Sequence, residues 1–241
     1  MSEPRPNHRR RRSASASPNS RANRNVSTIP KKARLMGPSK EEVALLPAFS
    51  GVSPDQVIVP ATEVECKNAV DEIFRAGIAG FDTEAKPTFR VGQKSHGPHV
   101  VQFALTDKAF IFQLYRSECE KACAEIIASE KVLKVGFGLK NDHTQIRRRF
   151  GLALKHVLDL DQVFHKRGYQ GQIGVRGAMG VVLKQCFKKS KSTTTSNWAL
   201  RVLSPRQLLY AANDAYAALK IQEALQAEAN LDQRPPVNSY K

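Results

Sequence analysis

The sequence predicts an α/β fold, a mixed central β-sheet flanked by α-helices, with a disordered basic tail in front of it. Three observations predict it. Several apolar runs of strand length follow one another closely in the first half of the body and then alternate with segments of helical period, the order that packs helices against one sheet. The 241 residues suit one domain with a full core. The charge is uneven: the chain carries 38 Lys+Arg against 22 Asp+Glu, and residues 1–40 hold eleven of those basic residues with a single acid, Glu3.

That tail therefore contributes 11 − 1 = +10 of the formal net charge of +16. It is rich in Arg, Ser, Pro and Asn and has too little apolar surface to offset the entropy of folding. Such asymmetry points to a polyanionic partner, of which nucleic acid is the commonest. Residues 41–55 read as a linker and 230–241 as a C-terminal tail, leaving 56–229 for the domain.

Within the domain, Gln56–Pro60 reads as a strand. Glu63–Gly77 follows as an amphipathic helix, with Val64, Ala69, Val70, Ile73 and Phe74 on its apolar side and Gly77 as its stop. Three strand-like runs come next, Ile78–Glu84, His99–Leu105 and Ala109–Leu114, the last two joined by a short hairpin connection. Glu118–Ser129 has helical period, Val132–Gly138 is a strand, and Lys140–Phe150 is a helix stopped by Gly151. Val157–Leu160 is a short strand, and helices are expected over Asp161–Gly168, Val175–Phe187 and Pro205–Ala229.

Some classes are excluded. No apolar run approaches the roughly 18 residues of a membrane span. The N-terminus lacks the apolar segment of a secretory signal, and its prolines leave no amphipathic face for a transit peptide. A cytoplasmic protein is expected, or a nuclear one if the source is eukaryotic. Cys66, Cys119, Cys123 and Cys186 show no paired metal-site spacing and read as reduced thiols.

The chemistry is in the acids. Ile78-Ala79-Gly80-Phe81 ends in Asp82 and Glu84, which share one face of a strand because side chains alternate. Two carboxylates at the end of a buried element need a cation, a shared proton or a basic partner. A strand that has simply reached solvent would show the same pair, so the run alone decides nothing. Asp142 falls in the first turn of a helix after a buried strand, where open α/β sheets place their sites, although a helix start also favours Asp as a cap. Asp214 lies among Leu208, Leu209, Ala211, Ala212, Ala215 and Ala217, with Tyr210 one helical turn before it.

"FDTE" (Phe81–Glu84), "KNDHTQIRRRFG" (Lys140–Gly151) and "YAAND" (Tyr210–Asp214), in this order, resemble the three motifs of the DEDD superfamily of 3′–5′ exonucleases. The likeness is greatest to ribonuclease D and the exonuclease domain of Werner-type helicases. Tyr210, four residues before the last acid, marks the DEDDy branch; the other branch has a histidine five before it, where this chain has Leu209. The run from Lys189 to Leu219 also looks like the family's third-motif region, with its Ser-x-Trp and Leu-Ser-Pro-x-Gln-Leu elements. The resemblance spans about Gln56 to Ala224.

It implies a ribonuclease H-like fold and two divalent cations, Mg²⁺ or Mn²⁺, about 3.5–4 Å apart between four carboxylates. By match to the motifs, Asp82 would bridge both ions, Glu84 and Asp214 would hold the one that binds the attacking water, and Asp142 would serve the other. Tyr210 would orient the water. The implied substrate is a nucleic acid 3′ end, RNA or DNA. The region after the third motif leaves no room for the C-terminal helical domain of ribonuclease D, and the basic tail is expected to substitute as a salt-sensitive tether. Two rival readings are a non-catalytic nucleic-acid-binding relative and a hydrolase of short oligonucleotides only.

Expected substrate contacts are Thr83, Lys86 and Phe89 around the first motif, with Lys191 and Trp198 ahead of the third. Lys184, Lys188, Lys189, Lys191 and Arg201 form a basic cluster that suits either phosphate contact or a solvated loop. Trp198 could stack on a base, but packing against the last helix is favoured. His96, His99 and His143 are given no catalytic role, and at most one or two of Arg147, Arg148 and Arg149 can face the site. Ala85 and Thr144 stand where Werner-type domains carry aromatics, which leaves substrate preference open.

Overall fold

The computed structural model describes residues 34–88 and 96–232. Its centre is a six-stranded mixed sheet built from β1 (Val57–Ile58), β2 (Ile78–Glu84), β3 (Val100–Ala104), β4 (Ala109–Gln113), β5 (Leu133–Gly136) and β6 (Val157–Asp159), in the spatial order β1-β4-β3-β2-β5-β6. β3 is antiparallel to both its neighbours, while the β1–β4, β2–β5 and β5–β6 pairs are parallel. The helices are α1 (Lys40–Ala44), α2 (Glu63–Ala76), α3 (Ser117–Ala128), α4 (Lys140–Phe150), α5 (Leu160–Lys166), α6 (Gly174–Val182), α7 (Lys191–Thr194) and α8 (Pro205–Asp232). None of the described helices is long and apolar enough to cross a membrane.

Local chemistry sets the element ends. Thr62 caps α2: its hydroxyl accepts from Glu65 N and the Glu65 carboxylate accepts from Thr62 N, so two backbone donors without helical partners are satisfied together. Gly77 ends α2 at φ +68°, a left-handed conformation that glycine adopts without a Cβ penalty. Asp159, at the end of β6, accepts from Gly138 N and Leu139 N at 2.9 and 3.1 Å and so fixes the turn between β5 and α4.

Alternation along the strands divides the core. Phe81, Phe103, Phe110 and Phe112 face α2 and α3, together with the buried Cys66, Cys119 and Cys123. All four cysteines are buried free thiols, and burial pushes Cys119 up to about 12. On the opposite face Val100, Ala104 and Ile111 pack with Ala211, Ala212 and Ala215 of α8. α8 lies directly on β2: a Cβ on Gly80 would come 1.9 Å from the Ala215 carbonyl oxygen. Only glycine permits that approach, and it brings the helix within reach of Asp82 two residues further along β2.

Five expectations change. The first strand is only Val57–Ile58, because the chain around it pairs with β4 alone. The expected helix Val175–Phe187 stops at Val182: Lys184 adopts φ +54°, and Cys186 then runs alongside residues 47–49, donating to Pro47 O and accepting from Phe49 N. The stretch read as a linker begins with α1, whose Ser39 and Glu42 form a capping box. The last residues of the expected tail also join the fold, since Leu35 exchanges backbone hydrogen bonds with Gly168 and Gln170. α8 continues to Asp232, past Ala229.

Two predictions follow from this packing. Gly80→Ala should lower the unfolding free energy by roughly 1–3 kcal/mol through overpacking at Ala215, measured by urea denaturation; an unchanged midpoint would mean that α8 is not seated there. Lys134 is wholly buried in β5, with Nζ donating to Ile126 O and Ser129 O, and burial lowers its pKa from 10.5 to about 8. Between those values the unfolded chain holds a proton that the folded protein has shed, so stability should rise with pH from about 8 to 10.5, by on the order of 3 kcal/mol, and be lowest from this source below about 8. Lys134→Met should flatten that rise in a pH series of denaturation curves; an equally steep rise in the variant would assign it to other groups.

Candidate active site

Asp82 and Glu84 project from the end of β2 toward α8, which carries Asp214. One carboxylate oxygen from each of the three lies within 4.8 Å of the others. Asp142, in the first turn of α4, joins through the intervening residue: the Thr83 hydroxyl, on the other face of β2, donates to Asp142 Oδ1. Asp142 and Asp214 are both buried. Segments far apart in sequence thus deliver four acids to one place at the strand ends.

Such crowding has an electrostatic consequence. Burial is the first cause that raises all four carboxyls above the usual range. Mutual repulsion adds to it, Asp82 raising Glu84 and Asp142 alike. Lys189 opposes the effect at Asp82 and Asp214. Asp214 Oδ1 is buried without a hydrogen-bond partner among the described residues, while its Oδ2 meets Lys189 Nζ at 2.8 Å.

Carboxylate oxygens, one of them buried and unpartnered, fit hard divalent ions such as Mg²⁺ or Mn²⁺ better than zinc. Asp82, Glu84 and Asp214 are the residues that could hold one, with Asp142 beside them.

Tyr210 lies one turn before Asp214, with its hydroxyl 2.8 Å from Thr194 Oγ1. Burial, then the Asp214 charge, pushes the phenol above its usual value, so it stays protonated at neutral pH. In that form the hydroxyl can donate a hydrogen bond.

The expected substrate contacts divide. Lys86 and Lys191 are exposed, as phosphate contacts require. The Thr83 side chain is engaged by Asp142. Phe89 lies outside the described residues. Trp198 packs, as the favoured reading has it, and is not a substrate contact: it is 1% exposed, its ring tilted by 47° against Tyr210 at 5.9 Å and its indole N–H donating to Thr194 O. Its ring is closed to a substrate base, and it supports Tyr210 from behind. Of the three arginines, Arg149 turns away to Glu120 and Leu114 O. His143 is exposed beside Asp142.

Three residues that position the site escape a motif reading. Thr194 anchors Tyr210, Asp159 ties down the turn before Asp142, and Lys189 reaches Asp214. Only Lys189 left a signal, as one member of a basic run, with nothing to distinguish it from its neighbours.

The mixed six-stranded sheet flanked by helices, here with acids gathered at the ends of its central strands, is the architecture of the ribonuclease D and Nibbler exonuclease domains. More narrowly, the chain belongs to the 3′–5′ exonuclease family, whose model matches residues 57–230. It is 28% identical over 151 residues to the bifunctional 3′–5′ exonuclease/ATP-dependent helicase WRN of Mus musculus, covering 61% of this chain and 11% of that protein. It is 27% identical over 154 residues to a 3′–5′ exonuclease of Arabidopsis thaliana, covering 62% and 54%. The chain thus matches about half or less of the length of these relatives. The fold is shared with the Nibbler EXO domain of Aedes aegypti, at a TM-score of 0.65 and 20% identity over 78% of this chain and 95% of that one.

Thr83→Val keeps the shape of the side chain but removes the donor to Asp142. It should lower metal-dependent nuclease turnover roughly tenfold, the worth of one hydrogen bond to a charged group, with little change in melting temperature. Parallel losses of turnover and melting temperature would make the contact structural only.

Proposed function

We propose that this chain is a metal-dependent 3′–5′ exonuclease that hydrolyses the terminal phosphodiester of a nucleic acid and releases nucleoside 5′-monophosphates. The observation that carries this reading is the convergence of Asp82, Glu84 and Asp214 within 4.8 Å, with Asp142 held alongside by Thr83. Two divalent ions, Mg²⁺ or Mn²⁺, would supply an activated water and charge neutralisation at the phosphate and the departing 3′-oxygen.

The chain's own groups do the rest. Asp82 and Glu84, fixed by the sheet, and Asp214, fixed by α8, set the spacing that in-line attack requires. Tyr210, held by Thr194, donates a hydrogen bond that orients the incoming water oxygen. Water's oxygen gives up a proton to solvent as it bonds to phosphorus, the bond to the 3′-oxygen breaks, and the leaving oxygen takes up a proton from solvent. Lys86 and Lys191, both exposed, suit contact with the strand's phosphates. The basic N-terminal tail adds non-specific, salt-sensitive attraction for long strands.

The test uses 5′-labelled single-stranded RNA, single-stranded DNA and a recessed duplex. A ladder shortening from the 3′ end with Mg²⁺ or Mn²⁺, abolished by EDTA and reduced at least about a thousandfold in Asp82→Ala, is expected. Intact strands that bind without a ladder in either metal would favour a non-catalytic relative, and cleavage confined to dinucleotides would favour an oligonucleotide hydrolase. Removing residues 1–33 should weaken binding to long strands and flatten its salt dependence while sparing dinucleotide hydrolysis; equal loss on both substrates would refute the tether.

A further inference from the structure

Lys189 differs from the lysines around it. Lys184, Lys188 and Lys191 are exposed. Lys189 turns inward, with its Nζ 2.8 Å from Asp214 Oδ2 and side-chain exposures of 27% and 3% for the two partners. Its ammonium also lies 5.8 Å from the centre of the Tyr210 ring. The early end of α6 places it there, because the extended backbone at Cys186, paired with Pro47 and Phe49, redirects the chain toward α8. Burial works against its charge, but Asp214 and Asp82 outweigh that and hold it protonated.

We infer that Lys189 is a built-in counter-ion of the carboxylate cluster, which neutralises Asp214 in the metal-free protein and competes with divalent ions for that carboxylate. The inference rests on the metal-binding reading of the cluster given above. Asp214 has two oxygens; Lys189 engages Oδ2, and Oδ1 is buried without a partner among the described residues. An ion drawing on Asp214 must displace the ammonium or bind beside a like charge, and both weaken its affinity. In return, the metal-free protein is spared an uncompensated buried charge. Metal affinity is thereby exchanged for stability of the unloaded enzyme.

Calorimetric titration of Mn²⁺ into the full chain tests this without measuring activity. Lys189→Met keeps an unbranched side chain of similar length. It should bind Mn²⁺ at least about tenfold more tightly, melt at lower temperature in EDTA, and gain more on adding Mn²⁺. Lys189→Arg keeps the charge and should stay near wild type. Equal or weaker Mn²⁺ binding by the Met variant, while wild type binds, would overturn the inference alone. No Mn²⁺ binding by wild type and Met variant alike would overturn the metal reading together with it. Should the Met variant not fold, the ¹⁵Nζ signal of Lys189 in the wild type, assigned by its loss in Lys189→Arg, decides. It should be protected in EDTA and shift or vanish on adding Mg²⁺, and a signal unmoved at saturation would refute the competition.

Discussion

Four carboxylates gathered at the strand ends, two buried and two half-buried, are the constraint around which the rest is arranged. Each would be costly to bury alone, and each makes its neighbours harder to ionise. Such a cluster persists only if surrounding packing overrules it. The sheet supplies that packing: β3 and β4 are buried along their whole length, and phenylalanines fill the α2 and α3 face. The alanine-rich side of α8 then closes on the other face at Gly80.

The acids also define a charge problem on the scale of the whole molecule. A chain with a net charge of +16 attracts polyanions, yet the pocket that would act on one is itself strongly acidic. A phosphate approaching it meets like charge unless a cation intervenes. Lys189 is the cation that the chain provides at Asp214, and divalent ions are those that the proposed chemistry demands.

Around the acids runs a ring of small polar contacts that position without reacting. Thr83 holds Asp142, Asp159 holds the turn that presents it, and Thr194 holds Tyr210 against Trp198. No aromatic ring is offered where Werner-type domains have one: Ala85 has none, and the Thr144 hydroxyl bonds back to Lys140 O. Trp198 is buried as well.

Sequence by itself determined the strand and helix order, the mixed sheet and the identity of the acids. Those features are local: alternation puts Asp82 and Glu84 on one face, helical period puts Tyr210 over Asp214, and three ordered motifs leave little freedom. Tertiary structure alone decided how the elements meet. The span from Val175 to Phe187 has apolar residues enough for a longer helix, but pairing with residues 47–49 draws Cys186 out of it, and no local pattern encodes a partner so distant in sequence. The same detour separates Lys189 from the solvated lysines beside it, and the burial of Trp198 depends on where α8 packs. Motif spacing records which groups carry charge, whereas the burial and partners that set the behaviour of those charges exist only once the chain has closed on itself.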